Sequence, residues 1–168
     1  MTSFCGVIHN DILSHNWEIY YHSATDMDWS LSKYEKIAGI TSLHHMMAVM
    51  ENIPENIIKY GMLFFMKHGI KPIYEDSRNK NGGYFSFKIY NKYVVTLWKQ
   101  IVYSLCGDSI MKEKEMMKYV NGVSISPKRN FCILKIWMEN ASNQNPETII
   151  DIPNLSKVGV KFTLFVDK

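Results

Sequence analysis

Gly61-Met62-Leu63-Phe64-Phe65-Met66, then Gly69-Ile70-Lys71-Pro72-Ile73-Tyr74-Glu75-Asp76, then Asn79-Lys80-Asn81-Gly82-Gly83 and the spaced Phe85, Phe87 and Ile89 decide the fold. The first run is short, apolar and bounded, which reads as a buried strand. The charged, proline-containing middle cannot continue that strand and reads as a loop displaying Tyr74 and Glu75. After the Gly82-Gly83 turn, Phe85, Phe87 and Ile89 alternate with Ser86, Lys88 and Tyr90, the period of a second strand buried on one face.

The same alternation recurs upstream, where Trp17, Ile19 and Tyr21 interleave with Glu18, Tyr20 and His22 and predict a strand. A polar loop follows it and carries Trp29 in Asp26-Met27-Asp28-Trp29-Ser30. Ser42 is placed to cap a helix whose apolar stripe is Leu43, Met46, Met47 and Met50. Val94, Leu97, Trp98, Ile101 and Leu105 make a second helical stripe, with Gly107 where a C-terminal cap belongs. Strands are expected around 120–126 and 131–138, a short helix opened by Pro146-Glu147-Thr148, and a closing strand over 158–166. Residues 1–14 show no sustained period and read as a loosely ordered lead-in to one domain over 15–168. Strands in hairpin-like succession with helices between them argue an α+β fold, an antiparallel sheet covered on one face by helices.

Composition narrows the function classes. At 168 residues and 46% hydrophobic, the chain is long enough for one cored domain. A formal charge of +3 permits a nucleic-acid partner without requiring one. Cys5, Cys106 and Cys132 are widely separated, so neither a disulfide framework nor a zinc site is indicated, and a reducing compartment fits. With no leader-like start and no apolar run of membrane length, a cytoplasmic protein is expected. The adjacent His44 and His45 lack the i, i+4 spacing of helix metal ligands, and Cys106 sits in an apolar helix end where burial makes it inert. No catalytic residue, metal or cofactor is expected. Frequent Asn, Lys, Ile and Met suit an AT-rich genome, such as that of a parasite or large DNA virus.

His15-Asn16-Trp17-Glu18-Ile19-Tyr20-Tyr21, Asp28-Trp29-Ser30, and the block from Gly69 to Asp76 with Asn79 to Gly83 resemble, in order, the eukaryotic translation initiation factor 4E family, which binds the mRNA cap. Leu97-Trp98, Leu105-Cys106-Gly107-Asp108-Ser109, Asn121-Gly122-Val123 and Lys135-Ile136-Trp137 extend the resemblance to about Val166. It implies a curved antiparallel sheet of about seven strands, backed on its convex face by two long helices and a shortened third. It also implies roles. Trp29 and Tyr74 sandwich the base, because a guanine methylated at N7 is cationic and gains roughly 0.5–2 kcal/mol from electron-rich ring faces. Glu75 accepts hydrogen bonds from the base edge, Trp137 contacts the methyl group, and Lys128 and Arg129 hold phosphate.

The chain also departs from the family pattern. Tyr74 stands where Trp is commoner, and Asn130 where a second basic residue is usual. The family continues past the last matched strand with a further phosphate-facing loop, so one wall of the phosphate groove is expected to be missing or rebuilt. The short Asn140–Ser156 connection predicts a trimmed third helix. The family docks a scaffold or repressor peptide on its dorsal face, through positions matching Leu43, Met47, Lys99, Gln100 and Tyr103. Met47 replaces a tryptophan anchor and Lys99 an apolar contact, so a partner of altered specificity is expected on a monomeric, membrane-free protein. The resemblance leaves open an initiation factor and a cap-occupying repressor; a nucleotide-processing enzyme would need a general base or metal pair that Lys128 and Arg129 do not supply.

Overall fold

The computed structural model describes residues 11–167. In chain order it contains β1 (Ile12–His22), β2 (Glu35–Ser42), α1 (Leu43–Asn52), α2 (Glu55–Tyr60), β3 (Met62–Lys67), β4 (Gly83–Tyr90), α3 (Val94–Cys106), β5 (Val120–Pro127), β6 (Phe131–Met138) and β7 (Lys161–Leu164). The strands form one antiparallel sheet in the order β2-β1-β3-β5-β6-β4-β7.

Alternation along the strands divides this sheet into two faces. Trp17 and Ile19, Leu63 and Phe65, Phe85 and Phe87, Val123 and Ile125, and Leu134 and Ile136 all enter one core with the helices. The helices supply the other side of that core through Met46, Met50, Ile58 and a stripe on α3 that includes Leu97, Trp98 and Ile101. Each such fully buried aliphatic or aromatic side chain stabilises the fold by about 1.5–3 kcal/mol relative to exposure. The other face carries Phe64, Met66, Tyr84 and Trp137, a smaller apolar cluster left uncovered by helices.

Several boundaries differ from the sequence reading. β1 begins at Ile12, which pairs with Ser42, so the lead-in ends sooner than residue 14; residues 1–10, Cys5 among them, lie outside the described residues. Strand β2 and helix α2 are additional. The stretch 140–156 contains no α-helix, only a 3-10 turn at Pro146–Thr148. Asparagines explain this: the side chains of Asn140, Asn143 and Asn145 accept from the backbone N–H of Ser142, Asn145 and Glu147, closing local turns that compete with a helix. The final strand is also shorter than 158–166, giving way to a turn at Phe165. Gly107 does cap α3, its N–H donating to Tyr103 O at 2.9 Å, and the left-handed residue is the next one, Asp108, with φ 51°.

Glu18 is a polar anchor on the open face of β1. Its buried carboxylate accepts from the Tyr20 hydroxyl at 2.9 Å, meets His68 Nδ1 at 3.2 Å, accepts from the Gly69 amide at 3.4 Å, and pairs with Lys36 of β2. It thereby ties the edge strand and the start of the Tyr74 loop to β1. Burial pushes its pKa up, but the hydrogen bonds from Lys36, Tyr20 and Gly69 outweigh that and hold it below the usual carboxylate value. A depressed folded-state pKa gives stability that is present above the unfolded pKa and lost as pH falls through the folded one. Glu18→Gln is therefore expected to lower stability by about 1–3 kcal/mol near neutral pH, with the gap from wild type closing in acid. Urea unfolding across pH checks this, and a gap independent of pH would separate Glu18 from the anchoring charge.

Candidate functional site

The two aromatic loops reach the open face from opposite ends of the sheet. β1 and β3 are antiparallel, with His22 opposite Met62 and Trp17 opposite Lys67, so the loop after His22 and the loop after Lys67 leave from opposite ends of these two strands. The first loop is folded by its own acids: Asp26 accepts from the Asp28 amide and Asp28 from the Ser30 amide, each at 2.9 Å, and Lys33 pairs with Asp26 at 3.3 Å. Its Trp29 is 48% exposed, and the back of the indole lies flat on His22, with ring centres 4.6 Å apart and planes 5° from parallel. His22 is buried, and its ring nitrogens meet Ser23 O at 2.8 Å and Asp28 O at 2.9 Å. One face of Trp29 is thus occupied, and the other opens to a ligand.

The second loop is held by side-chain amides and a carboxylate. Asp76 accepts from the amides of Lys71 and Arg78, each at 2.9 Å. The fully buried Asn79 donates to Lys71 O at 3.0 Å and Ile73 O at 2.8 Å, gripping the chain just before Tyr74 and Glu75. Asn121 of β5 donates to Asn79 Oδ1 at 2.9 Å and Arg78 O at 2.8 Å, and Arg78 pairs with Glu139 at 3.1 Å. The loop returns to the sheet through Gly82 and Gly83. A Cβ on Gly82 would collide with the Met138 carbonyl, and one on Gly83 with Thr163 O of β7, so only glycine permits the close approach.

Trp29, Tyr74 and Glu75 converge with Trp137 on one cavity of about 310 Å³, inside the roughly 300–1,000 Å³ range of small-molecule sites. Trp137 is only 6% exposed, its indole N–H donating to Ser124 Oγ at 2.9 Å and its ring packed against Phe64 and Phe165. It is at once a core residue of the open-face cluster and the floor of the cavity. The family model for eukaryotic initiation factor 4E matches residues 12–162. The chain belongs to this family.

Among the relatives of this 4E-family chain, the initiation factor 4E of the fungus Eremothecium gossypii is 28% identical over 158 residues, spanning 89% of this chain and 68% of that protein. An initiation factor 4E homolog of Acanthamoeba polyphaga mimivirus is 38% identical over 61 residues, spanning 36% of this chain and only 22% of that protein. The fold is that of Schistosome eIF4E solved with m7GpppG and 4E-BP, at a TM-score of 0.70 and 22% identity over 79% of this chain and 74% of that one. It is likewise that of Ascaris suum eIF4E-3 solved with an m7G cap, at 0.69 and 16% identity over 79% and 75%.

Lys128 and Arg129 sit elsewhere. They are exposed in the turn between β5 and β6 and are not among the residues lining the cavity. The cation that does line it is Lys135, whose ammonium lies 4.3 Å from the centre of the Tyr84 ring. Its position two residues before Trp137 on β6 was the available signal, since that spacing puts both on one face. His22, Tyr34 and Phe165 also escaped the sequence reading. Tyr34 packs edge-on to Phe64 at 5.2 Å, and burial, reinforced by the charge of Glu75 and by Tyr74, pushes its hydroxyl up to about 12. On the helix side, Leu43, Met47 and Tyr103 rim a second cavity of about 490 Å³, lined as well by Asp11 and residues 12–14 of β1, whereas Lys99 and Gln100 lie outside its lining. Burial, aided by Asp108, pushes the Cys106 thiol up to about 12, consistent with inertness. Among the described residues, no cluster of three metal-ligating side chains occurs and no helix is long and apolar enough to cross a membrane.

If Asn79 holds the Tyr74 loop, Asn79→Ala should speed amide hydrogen exchange selectively over residues 71–80 and lower stability by about 1–3 kcal/mol. Exchange by mass spectrometry checks this; unchanged protection in that segment would mean that Asp76 suffices.

Proposed function

We propose that this chain binds the N7-methylguanosine cap of mRNA in the cytoplasm and acts in translation initiation, as a binding protein rather than an enzyme. The observation that carries the reading is the convergence of Trp29, Tyr74, Glu75 and Trp137 on one cavity from three separate segments of the chain. The cationic base would enter against the free face of Trp29, with Tyr74 on its other side and Glu75 at its N1–H and N2–H edge. Trp137 at the floor would meet the methyl group, and the phosphates would leave past Lys135 toward Lys128 and Arg129. Capped ligands in the Schistosome and Ascaris structures support this reading through the shared fold.

A cap-occupying repressor is the second reading, favoured by the dorsal side. Met47 is 44% exposed where the family offers a tryptophan anchor, so a helical scaffold peptide finds less apolar area there. Adding the protein to a cap-dependent translation extract separates the two, by stimulation for an initiation factor and inhibition for a repressor.

Titration followed by tryptophan fluorescence should show N7-methylated guanosine triphosphate binding well above the unmethylated nucleotide, because only the methylated ring is cationic between Trp29 and Tyr74. Equal affinities would sink the cap reading. Glu75→Gln should weaken binding roughly tenfold, since an amide presents one acceptor and one unwanted donor to the base. Trp29→Ala should lose about 1–3 kcal/mol.

A further inference from the structure

The open face of β4 and β6 continues beyond the cavity as a track. In register, Tyr84 faces Trp137, Ser86 faces Lys135, Lys88 faces Ile133 and Tyr90 faces Phe131. The first of these rows lines the cavity, and the last lies roughly 20 Å away at about 3.4 Å per residue. There the Lys88 ammonium sits 4.5 Å from the centre of the Phe131 ring and 5.5 Å from that of Tyr90, which is 59% exposed. The β5–β6 turn adds Lys128 and Arg129 directly above, the Lys128 amide donating to Phe131 O at 2.7 Å. Among the described residues, no carboxylate pairs with Lys88, Lys128 or Arg129. The result is a cross-strand pair of rings with uncompensated cations around it, the combination that binds single strands by stacking bases and tracking phosphates.

We propose that Lys88, Tyr90 and Phe131, with Lys128 and Arg129, form a station for single-stranded RNA, where a base of the transcript body stacks as the backbone runs from the cavity past Lys135. The direction of that run rests on the cap reading; the station itself does not. It also gives the two turn cations a use that the cavity does not.

The test compares three ligands by fluorescence anisotropy or fluorescence quenching: a short unstructured uncapped RNA, the same RNA capped, and methylated guanosine triphosphate alone. Wild type should bind uncapped RNA in a salt-dependent way and bind capped RNA more tightly than the nucleotide. Tyr90→Ala should weaken both RNAs about tenfold while leaving the nucleotide unchanged, and Tyr90→Phe should restore them. Lys88→Gln should reduce the slope of log affinity against log salt by about 0.7. Loss of nucleotide binding with these RNA effects intact would remove the cap reading and leave the station standing. Uncapped RNA binding that neither variant changes would overturn the proposal. So would binding to anionic phospholipid vesicles that Tyr90→Ala abolishes while RNA binding stays intact, which would assign the rings to a membrane surface.

Discussion

A sheet residue cannot change faces without a shift of register that turns every neighbour over with it. Here that constraint acts across seven strands at once. Trp17, Leu63, Phe85, Val123 and Leu134 must lie under the helices, so Glu18, Phe64, Tyr84, Ser124 and Lys135 are forced onto the open face. The helix-side core is much the larger and supplies most of the burial. The open face is therefore free to carry groups chosen for a ligand. A one-residue slip of β6 would bury Lys135 and expose Ile136, which is why the core and the site stand or fall together.

On that fixed face the site is assembled by loops whose hydrogen bonds are supplied locally. The Trp29 loop closes on its own aspartates and on His22, which reaches both its beginning at Ser23 and its later part at Asp28. The Tyr74 loop closes on Asp76 and Asn79 and is then fastened to β5 by Asn121. These groups satisfy backbone N–H and C=O groups that sheet and helix cannot reach, and they fix the two aromatics before any ligand arrives.

The elements legible in the sequence were those whose burial is strong. β4 and α3 show their period directly, β3 stands out instead as a short apolar run buried on both faces, and Ser42 caps α1 by accepting from the His45 amide at 3.1 Å. β2 was not legible, because it is an edge strand whose only buried residue is Ile40, so its sequence carries almost no alternation. α2 is too short to show a helical period, with Ile58 its only buried residue. In the site, Trp29, Tyr74, Glu75 and Trp137 were legible through the family motif. In the sequence, His22 shows only as a polar position on a strand. Nothing in its neighbours indicates a ring packed behind Trp29, since that contact joins a strand end to a loop that turns back on itself. Phe165 was hidden by the expectation of a continuous last strand, whereas the chain turns after Leu164 and drives its ring against Tyr84 and Trp137.

The placement of His22 has a consequence for how Trp29 can work. A loop tryptophan free on both sides would lose side-chain entropy on stacking, and its indole would rock to suit any flat ligand. With one face laid on a buried imidazole that is itself held at two carbonyls, the indole has a defined plane, and the cavity opens on one side only. Tyr34 extends this support, packing tilted against His22 on one side and edge-on to Phe64 on the other, so Trp29 is connected through a chain of ring contacts to the floor at Trp137. Tyr74 has no comparable ring contact among the described residues, and its loop is held by backbone-directed hydrogen bonds. The two sides of the cavity are thus unequal, a rigid indole wall opposite a tyrosine whose position depends on its loop. For a flat ring bound as proposed, the fixed wall would set selectivity, and accommodation of its thickness and tilt would fall to the tyrosine side.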